Sequence, residues 1–135
     1  PEDDPKYDRL KLTPERINDI TADILNVSGL ATPLGEIMEE RTLKNGLQLE
    51  KVRVPLGVVG IIYEARPNVT FDVFSLCLKS GNVCLLKGGS DAHFSNLAII
   101  QILHKVLKKT GLNKNIVQLL PPDREATAEM MNASD

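Results

Sequence analysis

The 135-residue chain contains few aromatic residues, few cysteines and no long apolar run. Each of these absences argues against a class of function. The chain contains no tryptophan and only five Phe and Tyr residues, which is too few for an aromatic platform on which bases or sugars stack. Two cysteines are too few for a disulfide framework and favour a reducing, cytoplasmic setting. No apolar run approaches the length of a membrane-spanning helix, and residues 1–9 are polar and acidic, so we expect neither a membrane helix nor a signal peptide.

The charge balance argues against a nucleic-acid-binding protein. Sixteen Lys and Arg face eighteen Asp and Glu, giving a formal net charge of −2. A dedicated nucleic-acid binder needs a surplus of basic residues to neutralise phosphates, so we expect no nucleic-acid partner. The remaining composition, 42% hydrophobic and 25% charged, is that of an ordinary globular domain.

Regular elements can be predicted along most of the chain. A helix is expected to begin after Thr13, a good N-cap followed by Pro14, and to end near Gly29. From Val58 onward, apolar strands at 58–63, 83–86 and 116–120 alternate with helices at 69–80, 90–109 and 124–131. The helix at 69–80 is apolar almost all round and is expected to be buried. This alternation predicts an α/β fold, a parallel sheet with helices on both faces.

A β-hairpin is predicted between these two regions. Segments 36–43 and 47–54 flank Lys44-Asn45-Gly46, and Asn-Gly is the dipeptide favoured in a type I′ turn. The apolar alternation changes phase between Lys51 and Val52, which predicts a bulge or a change of strand partner. The hairpin is rich in charge, so we expect it to project from the domain and to pair with another chain.

The best candidate ligand site lies at the carboxyl ends of the predicted strands, where ligands of parallel sheets bind. Lys87-Gly88-Gly89-Ser90 combines a cation, two glycines that let backbone approach a ligand, and the start of a helix. These features suit a phosphate or a ribose. Neither common nucleotide fingerprint is present, and a Gly-Gly pair after a strand is also a common tight turn, so both interpretations stay open.

Other reactive residue types have simpler explanations. Cys77 and Cys84 fall among apolar residues and are expected to be inert packing residues. The two histidines have no acidic partner at ligand spacing, so no metal site is predicted. Asn68 could cap the following helix, or its amide could donate to a substrate; Arg66 could be a solvated side chain or a phosphate-binding cation.

The motif Tyr63-Glu-Ala-Arg-Pro-Asn68 takes the interpretation further. Together with the surrounding stretch 53–89, it resembles the glutamate-5-semialdehyde dehydrogenases, also called gamma-glutamyl phosphate reductases, of the aldehyde dehydrogenase superfamily. Segments 9–16 and 122–125 look like the same family.

This resemblance implies a fold and a reaction. It implies an N-terminal helical segment at 1–35, a projecting oligomerisation hairpin at 36–54 that forms a homo-oligomer, and a Rossmann-like NADP-binding portion at 55–135. The catalytic domain, with the nucleophilic cysteine, would lie outside this chain. The implied activity is the NADPH-dependent reduction of L-glutamyl 5-phosphate to glutamate 5-semialdehyde with release of phosphate, in proline biosynthesis. The alternatives are another aldehyde dehydrogenase and a non-catalytic nucleotide-binding or oligomerisation module.

The resemblance also assigns roles to individual residues. Asn68 stands near the amide that holds the oxyanion in the superfamily, and Lys87 and Ser90 match its adenosine-ribose site. Relatives that use NAD place a carboxylate at the position of Ser90, so nothing here is expected to repel the 2′-phosphate of NADPH. The remaining residues expected at the cofactor are Tyr63, Ala65, Arg66, Gly88 and Gly89.

Overall fold

The computed structural model describes residues 5–64 and 66–133 of the chain. None of the helices among these residues combines the length and the apolar character needed to cross a membrane. The helices are α1 (Pro5–Leu10), α2 (Pro14–Gly29), α3 (Pro67–Lys79), α4 (His93–Lys109) and α5 (Arg124–Asn132), and the strands are β1 (Ile37–Thr42), β2 (Gln48–Val52), β3 (Val58–Ile62), β4 (Val83–Lys87) and β5 (Val117–Leu119).

Three parallel strands form the centre of the domain in the order β3-β4-β5. The chain passes from each strand to the next through a helix, and right-handed crossovers between strands in this order place α3 and α4 on the same face. The main core lies there, between the sheet and these two helices. Its buried members are Cys77, Cys84, Leu86, Ile99, Ile100, Leu103, Leu107 and Val117.

Helix α5 lies on the other face of the sheet, beside β3. Gly60 of β3 points away from the main core, and a Cβ at this position would collide with the Met130 side chain of α5. The alternation of side chains along a strand explains this, since the neighbouring Val59 and Ile61 pack against the main core. The predicted α/β fold with helices on both faces is confirmed.

The predicted helix cap at Thr13 is present, and Asp123 forms a second cap of the same kind. The Thr13 hydroxyl accepts a hydrogen bond from the Arg16 backbone N–H (3.3 Å) at the start of α2. The Asp123 carboxylate accepts one from the Ala126 N–H (2.7 Å) at the start of α5. A side chain that accepts from an otherwise unpaired N–H of the first turn fixes where each helix begins.

The predicted start of α3 is wrong. The helix begins at Pro67, with Arg66 as N-cap and without a side-chain cap, so Asn68 lies inside the first turn instead of capping it. Proline is well tolerated at the first helical position, because its missing N–H would have no partner there anyway. The expected full burial of this helix is also wrong, because Leu76 and Leu78 are exposed.

Strands β1 and β2 form a separate antiparallel pair. Every residue of the pair is exposed except Leu49, which is half-buried. The predicted irregularity is a bulge, and it falls at Met38 of β1, opposite the step from Lys51 to Val52. The boundaries of the predicted domains at 35/36 and 54/55 remain predictions.

The hairpin turn differs from the predicted type I′. The Leu43 N–H donates to the Leu47 carbonyl (2.8 Å), so the loop contains three residues. Within this loop, only Gly46 has a positive φ (86°), whereas a type I′ turn needs two residues with a positive φ. The Asn45 side chain accepts from the Leu47 N–H (3.1 Å), which holds this longer loop together.

Candidate functional site

The carboxyl ends of the three parallel strands meet at one edge, as predicted. The Tyr63 N–H donates to the Lys87 carbonyl (3.1 Å), and the Leu120 N–H donates to the Leu86 carbonyl (2.8 Å), so the loops leave the sheet side by side. Lys87 is 9% exposed, and its ammonium donates to the Pro122 carbonyl (3.0 Å). One of its three N–H donors is therefore used to connect two strand ends.

The protein's own packing leaves little room for a side chain at either glycine after β4. A Cβ on Gly88 would overlap the Asn96 side chain and would lie 3.4 Å from the Tyr63 ring. The Gly89 N–H donates to the Glu64 carbonyl (3.2 Å), and a Cβ on Gly89 would lie 3.2 Å from the same oxygen. Close contact between two loops thus accounts for both glycines without a ligand, and their role at a cofactor remains a prediction.

A polar network beneath Gly88 was missed by sequence reasoning. The Thr70 hydroxyl of α3 donates to Asn96 Oδ1 of α4 (2.9 Å) and lies 2.7 Å from the Tyr63 hydroxyl. Since the single hydroxyl proton of Thr70 goes to Asn96, Tyr63 is the donor to Thr70. Asn96 is fully buried, and its Nδ2 has no hydrogen-bond partner among the described residues. The three residues are too far apart in sequence for any pattern to reveal them.

Ser90 lies at the surface beside this network. It opens a short 3-10 turn, Ser90–Ala92, that runs directly into α4. Its hydroxyl is within 3.5 Å of an Asp91 carboxylate oxygen. Ser90 itself is neutral, but the next side chain brings a carboxylate close to its hydroxyl, and the expectation that nothing here repels a 2′-phosphate remains a prediction.

Arg66 and Asn68 belong to a different part of the surface. Arg66 is exposed and Asn68 is half-buried, and the amide of Asn68 makes no hydrogen bond to a described residue. Both line a cleft of about 290 Å³ between α1, α2 and the beginning of α3, which we call the α2–α3 cleft. Its lining residues are Asp8, Arg9, Lys11, Leu12, Arg16, Asp19, Ile20, Asp23, Arg66, Pro67 and Asn68.

The structure therefore divides the predicted site residues into two groups. One group lies at the strand ends and consists of Tyr63, Lys87, Gly88, Gly89 and Ser90. The other group, Arg66 and Asn68, lines the α2–α3 cleft. Ala65, also expected at the cofactor, falls outside the described residues. The hydroxyl of Tyr63 is bonded within the protein, and burial raises its pKa, so this side chain supports the loop as a neutral donor.

The two cysteines are packing residues, as predicted. Both are buried and unpaired. Burial, with a smaller effect of the neighbouring Cys77 thiol, raises the pKa of Cys84 to about 12, and burial also raises the pKa of Cys77. A thiol with so high a pKa is not a nucleophile at neutral pH. Within the described part of the chain, no three His, Cys, Asp or Glu side chains are grouped so as to hold a metal ion.

Comparisons with known proteins complete the description of the site. The chain is 65% identical over 130 residues to the gamma-glutamyl phosphate reductase of Bacteroides thetaiotaomicron, a match that covers 96% of this chain and 31% of the relative. It is 61% identical over 129 residues to the enzyme of that name from Parabacteroides distasonis, with the same coverage of each chain. This chain is homologous to about a third of gamma-glutamyl phosphate reductase. The resemblance based on the Tyr63–Asn68 motif is thereby confirmed.

Solved structures of gamma-glutamyl phosphate reductase agree with this result. The enzyme from Thermotoga maritima superposes with a TM-score of 0.89 at 43% identity, covering 93% of this chain and 30% of that one. The enzyme from Saccharomyces cerevisiae gives 0.79 at 30% identity, covering 90% and 31%. A propionaldehyde dehydrogenase from Rhodopseudomonas palustris shares the fold alone, at 20% identity and a TM-score of 0.57. No family model matches the chain.

Proposed function

We propose that the protein to which this chain belongs reduces L-glutamyl 5-phosphate to L-glutamate 5-semialdehyde with NADPH and releases phosphate, as a step of proline biosynthesis. The support is the similarity to proteins named gamma-glutamyl phosphate reductase over 96% of this chain. Because the chain spans about a third of those relatives, we assign it the cofactor loop and one substrate-facing loop. The nucleophilic cysteine belongs to a further domain.

The residues at the strand ends fit a nicotinamide dinucleotide. Lys87 uses one N–H on Pro122 and keeps two for a ligand, and Ser90, three residues further along the chain, is exposed. These two groups would bind the hydroxyls or the 2′-phosphate of the adenosine ribose. The bound cofactor supplies a hydride.

The preference for NADPH over NADH follows from charge at this edge. Lys87 is the cation nearest in sequence to Ser90. Ser90 is neutral, whereas a carboxylate side chain at this position would repel the 2′-phosphate of NADPH. Asp91 opposes this preference, since its carboxylate lies 3.5 Å from the Ser90 hydroxyl. We infer that the ammonium and hydroxyl outweigh that repulsion, which can be tested by neutralising Asp91.

Asn68 is the residue of this chain proposed to act on the substrate. Its amide lies in the first turn of α3, half-buried and not hydrogen-bonded to any described residue. A free amide N–H that is held by a helix is a suitable donor to the oxygen that becomes negative when a nucleophile adds to a carbonyl. Asn68 would stabilise that oxyanion during attack on the acyl phosphate.

The hairpin is proposed to join copies of the protein. Its two strands pair only with each other among the described residues and leave their outer edges exposed. Exposed strand edges pair readily with other strands. We also propose a cytoplasmic location, because both buried cysteines are unpaired, as is usual in a reducing compartment.

The experiment that tests the reaction uses the full-length protein. Purified protein is assayed in the reverse direction, by following NADP reduction with L-glutamate 5-semialdehyde in the presence and absence of inorganic phosphate. We expect turnover that requires phosphate. Phosphate-independent oxidation would instead indicate another aldehyde dehydrogenase, and a protein that binds NADPH without turnover would indicate a non-catalytic nucleotide-binding module.

A further inference from the structure

The α2–α3 cleft is lined by none of the residues Lys87, Gly88, Gly89 and Ser90. Its volume of about 290 Å³ is close to the lower end of the range for small-molecule sites, roughly 300–1,000 Å³. Asn68, the proposed oxyanion donor, lies on its wall. A substrate whose reacting carbonyl meets Asn68 would therefore extend the rest of its length along this cleft.

The cleft contains positive charge that the protein does not neutralise. Arg16 is committed, because it forms an ion pair with Asp8 (2.9 Å) and donates to the Lys11 carbonyl (2.9 Å). By contrast, no described residue forms an ion pair with Arg9, Lys11 or Arg66. A guanidinium that faces a cleft without a partner is well suited to bind a carboxylate.

The same cleft also contains uncommitted negative charge. Asp19 and Asp23 are four residues apart on α2, which places them on one face of the helix, and both line the cleft. Neither forms an ion pair with a described residue. Burial, with a smaller contribution from the charge of Asp23, raises the pKa of Asp72 on α3, so the carboxylates of Asp23 and Asp72 repel each other. A cation in the cleft beside Asp23 would reduce that repulsion.

We infer that the α2–α3 cleft binds the α-amino-acid end of the substrate, with its carboxylate on Arg66 and its ammonium on Asp19 and Asp23. The inference rests on the proposed function and specifies how it selects its substrate. A free phosphate or a simple dicarboxylate carries no cationic group of its own that could pair with Asp19 and Asp23. A zwitterionic head group matches both signs of charge, and Arg9 and Lys11 add positive potential for the carboxylate.

Binding without turnover tests this inference in the full-length protein. Isothermal titration compares L-glutamate with glutarate, which lacks the ammonium, and with 4-aminobutyrate, which lacks the α-carboxylate. We expect L-glutamate to bind at least tenfold more tightly than either. Arg66→Gln is expected to weaken L-glutamate binding at least tenfold, Arg66→Lys to restore most of it, and Asp23→Asn to reduce the preference for L-glutamate over glutarate. Lys108→Gln, which removes a charge from the far end of α4, is the control and should change affinity less than twofold.

Four results would overturn the inference. Equal affinity for L-glutamate and glutarate would show that the ammonium is not recognised. Competition between inorganic phosphate and L-glutamate, with Arg66→Gln abolishing both, would place the phosphate in this cleft instead. Unchanged L-glutamate affinity in Arg66→Gln, in a protein that still oxidises glutamate semialdehyde, would refute this inference alone. A protein that binds none of the probes and lacks that activity would refute the proposed function as well.

Discussion

Replacing Thr70 with valine should destabilise the domain through Asn96, although the two side chains have nearly the same size. The Thr70 hydroxyl is the donor to Asn96 Oδ1, and Asn96 is fully buried with its Nδ2 already unpaired. The variant leaves both polar atoms of Asn96 without partners. Tyr63, which is half-buried, can turn its hydroxyl to water and should contribute less.

The size of this effect follows from the cost of an unpaired buried polar group, about 1–3 kcal/mol. We therefore expect a loss of about 2 kcal/mol in the free energy of unfolding. With a urea dependence of about 1–3 kcal/mol per molar, the unfolding midpoint should fall by about 1 M. Urea unfolding of the purified chain, followed by circular dichroism, measures this shift.

A double variant separates the network from general packing effects. Asn96→Leu removes the amide that Thr70→Val leaves unpaired, so the two changes together should cost less than the sum of the single changes. The reasoning would be refuted if the two costs simply added, or if Thr70→Val unfolded at the same urea concentration as the unchanged chain.

Four further predictions concern the proposed function. Asn68→Ala in the full-length protein should lower turnover on the order of a hundredfold while leaving NADPH affinity nearly unchanged, and normal turnover would exclude the oxyanion role. Ser90→Glu should weaken NADPH binding about tenfold and spare NADH, whereas Asp91→Asn should strengthen NADPH binding; equal effects on both cofactors, in a fluorescence titration, would place the 2′-phosphate elsewhere. The isolated chain should show no reductase activity, and activity abolished by Cys77→Ser or Cys84→Ser would contradict this. Cys84 should resist alkylation at pH 8, because its pKa of about 12 keeps the thiol protonated. Small-angle scattering should show that the full-length protein is oligomeric through the exposed hairpin 36–54, and a strict monomer would rule this out.

Local chemistry explains what the sequence alone determined. The caps at Thr13 and Asp123 act on backbone groups three residues away, so they can be predicted from neighbouring residues. Strands of a parallel sheet are buried on both faces and are therefore continuous apolar runs, so the three parallel strands can also be predicted from the sequence. The Tyr63–Asn68 motif and the surrounding stretch 53–89 are continuous in the sequence and were enough to identify the family of the relatives.

The features that only the tertiary structure decided depend on residues distant in sequence. Thr70 and Asn96 are 26 residues apart and meet because α3 and α4 lie on the same face of the sheet. A side chain at Gly88 would displace Asn96, which lies beneath it, and local sequence cannot show this. Arg66 and Asn68 line the α2–α3 cleft and Lys87 does not, because α3 begins at Pro67 and its first residues lie beside α2. In each case the packing of two elements, and not the preference of one segment, sets the position of the side chain.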